Sequence, residues 1–341
     1  MRPRESIRLG GFKILKGLSG LSVQCNSGEI VPFLLYLRKL TREKINLPYL
    51  TFSRHRDQVA FHVLADTGTT PWPLSMRDLF GRCKGEKNKD ITVLSVFPHR
   101  SDPAVLARLI NIITTQEVAV QGFASSPSAI SVSLHRKSLE KISYALFGPF
   151  LFSSYRTPSD WKLAQKGKEQ LFKEVVASYK EKRPKIYGLE CWQGATILHM
   201  LLDEDSLQCL EIAGSMLARS GARLLLITMI PLAESGKYLA AFCFSRISEQ
   251  NASTLYAEGF SQLGRFRNDQ AMVLSLTGPH FGDRYGLALQ LIEALEEEKI
   301  NALSLGCTVA SMCLAVSQDQ GARAISAITA RFDTPAIVEK K

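Results

Sequence analysis

The sequence predicts an α+β protein made of four tandem copies of one small unit, arranged as two pairs. Two observations carry that expectation. The stretch "VLSVFPHRSDPAVLARLI" (Val93–Ile110) returns in altered form as "VLSLTGPHFGDRYGLALQLI" (Val273–Ile292), with two extra residues in the second loop. The order of elements around the two copies is also the same: strand, helix, strand, strand, helix, strand. A shared order at a fixed spacing weighs more than a few identities, because a repeat missed at this stage miscasts the whole fold.

The second quarter shows the unit most plainly. "ITVLSVF" (Ile91–Phe97) reads as a buried strand, and Ser101, Asp102 and Pro103 supply a helix cap and a first-turn proline. Val105, Leu106, Leu109, Ile110 and Ile113 then fall on one face of the helix that follows. "VAVQGFA" and "AISVSLH" are two strand-like runs joined by turn residues; the helix "KSLEKISYALF" and a short strand within "PFLFSSY" complete the set. The fourth quarter spells the same order with "MVLSLT", "LALQLIEALEEEK", "INALSLG", "ASMCLAV", "QGARAISAITARF" and "TPAIVE". The first and third quarters give weaker copies.

The units are expected over residues 10–80, 90–156, 185–265 and 270–341, with a basic amphipathic linker helix over 157–184 joining the halves. A βαββαβ order with antiparallel strands and both helices on one face is the ferredoxin-like arrangement, which hosts many functions and by itself implies none.

Composition narrows the partners. The 341 residues carry a formal net charge of +10, with basic residues concentrated at Arg2, Arg4 and Arg8, in "GRCKGEKNKD" (Gly81–Asp90) and along Trp161–Lys185. The last stretch also repeats apolar residues at helical spacing, so it reads as a helix with a solvated basic face. Neither a helix-turn-helix pattern nor an RNA-binding aromatic signature accompanies the charge, and nucleic acid is not the expected partner. No apolar run is long enough to span a membrane, and the start of the chain is charged with no apolar core behind it; a cytoplasmic protein is expected. The seven cysteines are odd in number and scattered, which suits neither a disulfide framework nor a zinc site, so reduced thiols and no metal are expected.

The segment Leu276–Val316 resembles an ACT domain, the amino-acid-binding regulatory module, and within that family looks most like the paired ACT domains of aspartokinases. Gly286-Leu287 match the glycine and small apolar residue common at the first helix of such modules, Asn301 matches an asparagine early in the second strand, and Ser304 sits where that strand approaches its ligand. In the second unit Ala104 replaces the glycine and Val120 stands near the asparagine position. The kinase domain that precedes the ACT pair of an aspartokinase has no counterpart in the sequence.

The resemblance implies an amino acid or similar small metabolite as ligand, held at module interfaces, and a homodimer. Unpaired amides at a helix N-terminus favour a carboxylate, and acceptors near it would take an ammonium group. The candidate ligand-binding residues are therefore His280, Asp283, Gly286, Leu287, Asn301 and Ser304 in the fourth unit, and His99, Ser101 and Asp102 in the second. Asp102 as a plain helix cap and Asp283 as a solvated loop residue are the structural alternatives. His99 and His280 both follow a proline at the same place in the repeated loop, whereas His62, His135 and His199 sit in strand-like runs and read as structural.

No phosphate-binding loop and no constellation of nucleophile, base and oxyanion donors is visible, so neither catalytic residues nor a cofactor are expected. The function expected is that of a non-catalytic regulatory protein, not an enzyme. The alternative is a scaffold or regulatory subunit that docks onto an amino-acid-biosynthesis enzyme, aspartokinase-like, with degenerate ligand sites.

Overall fold

The computed structural model describes residues 6–26, 30–55, 58–66, 83–165, 183–245, 247–260, 266–278, 285–308 and 311–340. The first half of the chain runs β1 (Ile7–Leu9), β2 (Gly11–Asn26), α1 (Ile30–Arg42), β3 (Tyr49–His55), β4 (Gln58–Ala65), β5 (Lys84–Phe97), α2 (Pro103–Thr115), β6 (Val120–Ser125), β7 (Ile130–His135), α3 (Leu139–Ala145), β8 (Phe150–Phe152) and α4 (Pro158–Gln165). The second half runs β9 (Gly188–Leu202), α5 (Leu207–Ser220), β10 (Leu224–Leu232), β11 (Lys237–Phe244), α6 (Glu249–Thr254), β12 (Phe266–Thr277), α7 (Leu287–Glu297), β13 (Ala302–Cys307), β14 (Ser311–Ser317), α8 (Gly321–Arg331) and β15 (Ile337–Lys340). The result is a mixed α and β structure with one large sheet and eight α-helices among the described residues.

Four long strands organise the sheet. β2 and β5 pair antiparallel over two stretches, Gly11–Leu15 against Val93–Phe97 and Leu18–Gln24 against Lys84–Ile91. Past that second stretch β4 adds to β2 and β3 to β4; beside the first, β7 adds to β5 and β6 to β7. β9 and β12 repeat the device in the second half, with β11 and β10 at one end and β14 and β13 at the other.

Each long pair is broken where its register shifts. Gly17 in β2 (φ +71) and Gly194 in β9 (φ +67) occupy these breaks, at corresponding places in the two halves. A methyl group on either would meet open space, so glycine is needed there for backbone conformation and not for room.

The halves join edge to edge through β6 with β10 and β3 with β13. Since β9 also pairs with β11, the ladder closes on itself and β15 is appended to β9.

Helices cover the outside. α1, α7 and α8 lie on one apolar core that includes Phe33, Phe52, Leu291 and Ile328; α2, α3 and α5 lie on a second that includes Leu109, Phe123, Leu210 and Phe242. A third cluster, with Ile197, Leu225, Ala241, Val273 and Cys313, fills the space between facing parts of the sheet. There Thr228 of β10 and Ser304 of β13 bring their hydroxyls to 2.7 Å, and the Cys313 thiol donates to the Leu225 carbonyl at 3.5 Å. β10 is buried on both faces, in keeping with its run "LLLITMI", apolar but for Thr228.

Several sequence expectations are corrected. Within "PFLFSSY" only β8 forms, and it pairs in parallel with β1 in a separate two-stranded sheet. The place beside β5 is taken instead by the first residues of β2. Phe12 of that stretch packs on Phe152, Tyr155 and Trp161, with ring centroids 5.0, 5.4 and 4.9 Å away, and so holds β8 and α4 against its outer side. "TPAIVE" forms β15, which runs parallel to β9 from the pair Ile337–Leu189.

Cys25 and Cys83 are joined in a disulfide, against the expectation of thiols throughout; they stand one position beyond the facing residues Gln24 and Lys84, where antiparallel strands bring side chains together. The other five cysteines are free. Of the expected linker helix, α4 covers the beginning, and residues 166–182 lie outside the described residues. Among the described residues no helix is long and apolar enough to cross a membrane.

Candidate ligand-binding cleft

The start of α7, in the second half of the chain, faces α1, in the first half. α1 presents Leu37, Leu40 and Thr41 at helical spacing, and the turn after it adds Ile45 and Leu47. Across from them stand Gly286 and the first residues of α7, with Cys307 and Met312 behind. The described walls leave about 20 Å³, room for about one water molecule.

Gly286 sits at the helix cap in the left-handed region (φ +84), and a methyl group on it would meet Thr41 Cγ2 at 2.8 Å. Glycine is thus required twice, for its backbone and for the approach of α1. Thr41 is held by its own helix, its hydroxyl donating to the Leu37 carbonyl at 2.8 Å. Among the described residues no side chain caps α7, which leaves its first-turn amides open to a ligand, to water or to other parts of the chain.

The loop between β5 and α2 is closed by protein. Asp102 caps α2, accepting from the Ala104 amide at 2.9 Å, and Pro103 opens the helix. The amides of His99 and Ser101 donate to the carbonyls of Ser128 and Pro127, each at 3.2 Å, while the Ser101 carbonyl accepts from Leu224 N–H at 2.8 Å. That last bond ties the loop to the first residue of β10, in the other half of the chain.

His99 Nε2 contacts the Ser126 carbonyl, and burial pushes the imidazole down to about 4, opposed by that carbonyl and by Asp102. The ring is therefore neutral near pH 7.

The nine candidate residues fall into separate places. Gly286 and Leu287 line the cleft; His280 and Asp283 lie outside the described residues. Asn301, at the start of β13, accepts from the Arg54 guanidinium of β3 through its side chain and donates its amide to Gln320 Oε1 at 3.1 Å. Burial lowers the Arg54 pKa, and the Glu296 carboxylate opposes that shift. Ser304 is fully buried between the Thr228 hydroxyl and the Phe52 carbonyl. His99, Ser101 and Asp102 share the closed loop.

Thr41, Leu37 and Leu40 were not singled out from the sequence. Their i, i+3, i+4 spacing marks an apolar helix face, but nothing in that spacing says which helix it meets. Among the described residues no group of three or more His, Cys, Asp or Glu is placed to hold a metal ion.

No family model matches the chain, and no curated protein matches it. Solved structures do. The aspartate kinase from Synechocystis overlays on 98% of this chain with a TM-score of 0.71 at 14% identity. The regulatory subunit of aspartate kinase from Thermus thermophilus, in its ligand-free form, covers 43% of this chain and 98% of its own (TM-score 0.37, 12% identity). E. coli aspartokinase III, in complex with aspartate and ADP, covers 45% of this chain and 34% of its own (TM-score 0.34, 17% identity). At these identities the likeness is one of fold, and the chain spans 58% of the Synechocystis enzyme's length.

The expectation that this chain is not an enzyme is corrected by the first of these matches, because nearly all of it follows the chain of an enzyme. The expectation had rested on the lack of a recognisable phosphate loop and nucleophile, and local motifs of that kind do not report which larger chain a fold belongs to.

Proposed function

We propose that this aspartate-kinase-related chain binds an amino acid or similar small metabolite between ACT-like units, at the cleft where α7 meets α1, which parts to admit it. The observation that carries the reading is the start of α7 at Gly286, which no described side chain caps, set against Thr41 of another unit. A carboxylate is favoured by such a helix terminus, and a ligand touching both units would stabilise one packing over another.

Strand order supports the unit assignment. The sequences β5–β2–β4–β3 and β2–β5–β7–β6, each antiparallel throughout, match the order of a ferredoxin-like βαββαβ unit, and the second half supplies β12–β9–β11–β10 and β9–β12–β14–β13. Association with a second copy, or with an enzyme partner, belongs to the same proposal.

The test is a thermal-shift series of the purified chain with each of the twenty amino acids. Binding to the folded state raises the melting temperature, and a rise with one amino acid that Asp283→Ala abolishes is expected. No rise with any of them removes the reading.

The closed loop at Ser101 and Leu224 favours a different role for the second unit, as a fixed brace between halves. Ser101→Ala should leave ligand binding at the α7 cleft unchanged.

A further inference from the structure

A larger hollow of about 500 Å³ lies elsewhere, on the outer side of the second unit, and its volume falls within the range of small-molecule sites. It is bounded by the first stretch of β2, the turn Arg136–Ser138, α3 and α4. Its apolar wall includes two aromatic rings beside Ile14, Leu139 and Pro158. Trp161 stacks on Phe12 with centroids 4.9 Å apart, and Tyr144 also lines the space. Trp161 is nine-tenths buried, and its indole N–H has no hydrogen-bond partner among the described residues.

The rim is cationic: Lys16, Arg136, Lys137 and Lys162 surround the hollow, against the single carboxylate of Glu140 among the described lining residues. Glu140 is already matched by Lys162 at 3.1 Å, and the same ammonium lies 4.8 Å over the Tyr144 ring. A run of charge along one helix is usually a solvated face. Here three segments far apart in sequence bring the cations around one aromatic-lined space.

We propose that this hollow binds a small planar anion, an aromatic ring bearing a phosphate or carboxylate group. The ring would lie against Trp161 and Tyr144, where flat apolar surface is removed from water. The anionic group would face Arg136 and Lys137, which donate charge-assisted hydrogen bonds. The site is independent of the cleft at Gly286 and stands or falls separately.

Calorimetric titration of the full chain tests this with adenosine 5′-monophosphate and 4-hydroxybenzoate as ring-bearing anions, and with adenosine and inorganic phosphate as probes carrying one feature each. At least one ring-bearing anion should bind, and whichever it is distinguishes phosphate from carboxylate. Binding should weaken at least tenfold in the Arg136→Ala, Lys137→Ala double variant and also in Tyr144→Ala, all three being exposed positions, while Thr41→Ala leaves it unchanged. The proposal is overturned by silence with both ring-bearing anions, by binding that these variants do not weaken, or by inorganic phosphate binding as tightly as either.

Discussion

Gly286 and Thr41 touch between the two halves of the chain, with a methyl group on the glycine placed to come within 2.8 Å of Thr41 Cγ2. Gly286→Ala therefore meets two penalties, a left-handed backbone and a clash. Together they should cost about 2–4 kcal/mol in denaturant unfolding. Adding Thr41→Ser removes Cγ2 and keeps the hydroxyl, so the double variant should recover the clash and not the backbone strain. Equal losses in the single and double variants would show that α1 and α7 do not meet this closely.

Asp102 should behave as a cap. Asp102→Ala removes the acceptor for the Ala104 amide and should destabilise the chain by about 1 kcal/mol. Asp102→Asn should lose much less. An asparagine variant as unstable as the alanine one would point to a role for the charge.

Acid should weaken the fold through two buried imidazoles. Burial lowers His62 to about 3 and His99 to about 4, whereas an unfolded histidine titrates near 6.5. Below pH 6.5 the unfolded chain binds protons that the folded chain refuses. The stability these neutral rings allow is thus complete above about pH 6.5 and is lost as pH falls toward 4 and then 3. Each group contributes a slope of about 1 kcal/mol per pH unit. His62 packs its Nδ1 against the Ser22 hydroxyl at 2.8 Å, and His62→Gln should flatten the pH dependence whatever it does to stability at pH 7. An unchanged slope between pH 6 and 4 in that variant would remove His62 as a source.

The disulfide makes a chemical prediction. The unfolded chain without reductant should present five reactive thiols and, after reduction, seven. Cys25 and Cys83 enclose α1, β3 and β4 across a separation of 58 residues, so reduction should cost roughly 2–4 kcal/mol. Seven thiols before reduction would show the bond absent.

The element order and the start of α2 at Asp102-Pro103 were legible in the sequence because each is local. A cap, a first-turn proline and an apolar stripe need no knowledge of the rest of the chain. What escaped was long-range. The sequence marks β2 and β5 as strands but does not say that both continue past Gly17 and Asp90 into a second pairing, because a period of two fixes faces and not partners.

Ser304 shows the same limit at the candidate site. A small polar residue late in a strand suits a ligand and suits equally a hydroxyl pair with Thr228. Only the position of β10, remote in sequence, separates the two. Cys25 and Cys83 were unreadable as a pair for the same reason, since spacing alone does not disclose which cysteines face each other.

The sharing of β2 with β5, and of β9 with β12, has a consequence for how the chain can be divided. A quarter of the chain excised alone would leave behind the half-strand that completes its sheet and carry off one its neighbour requires. Cutting at the middle would do no better, because both large apolar cores and the closed sheet draw on both halves, so gene fragments, proteases and denaturants should all meet the molecule as one piece.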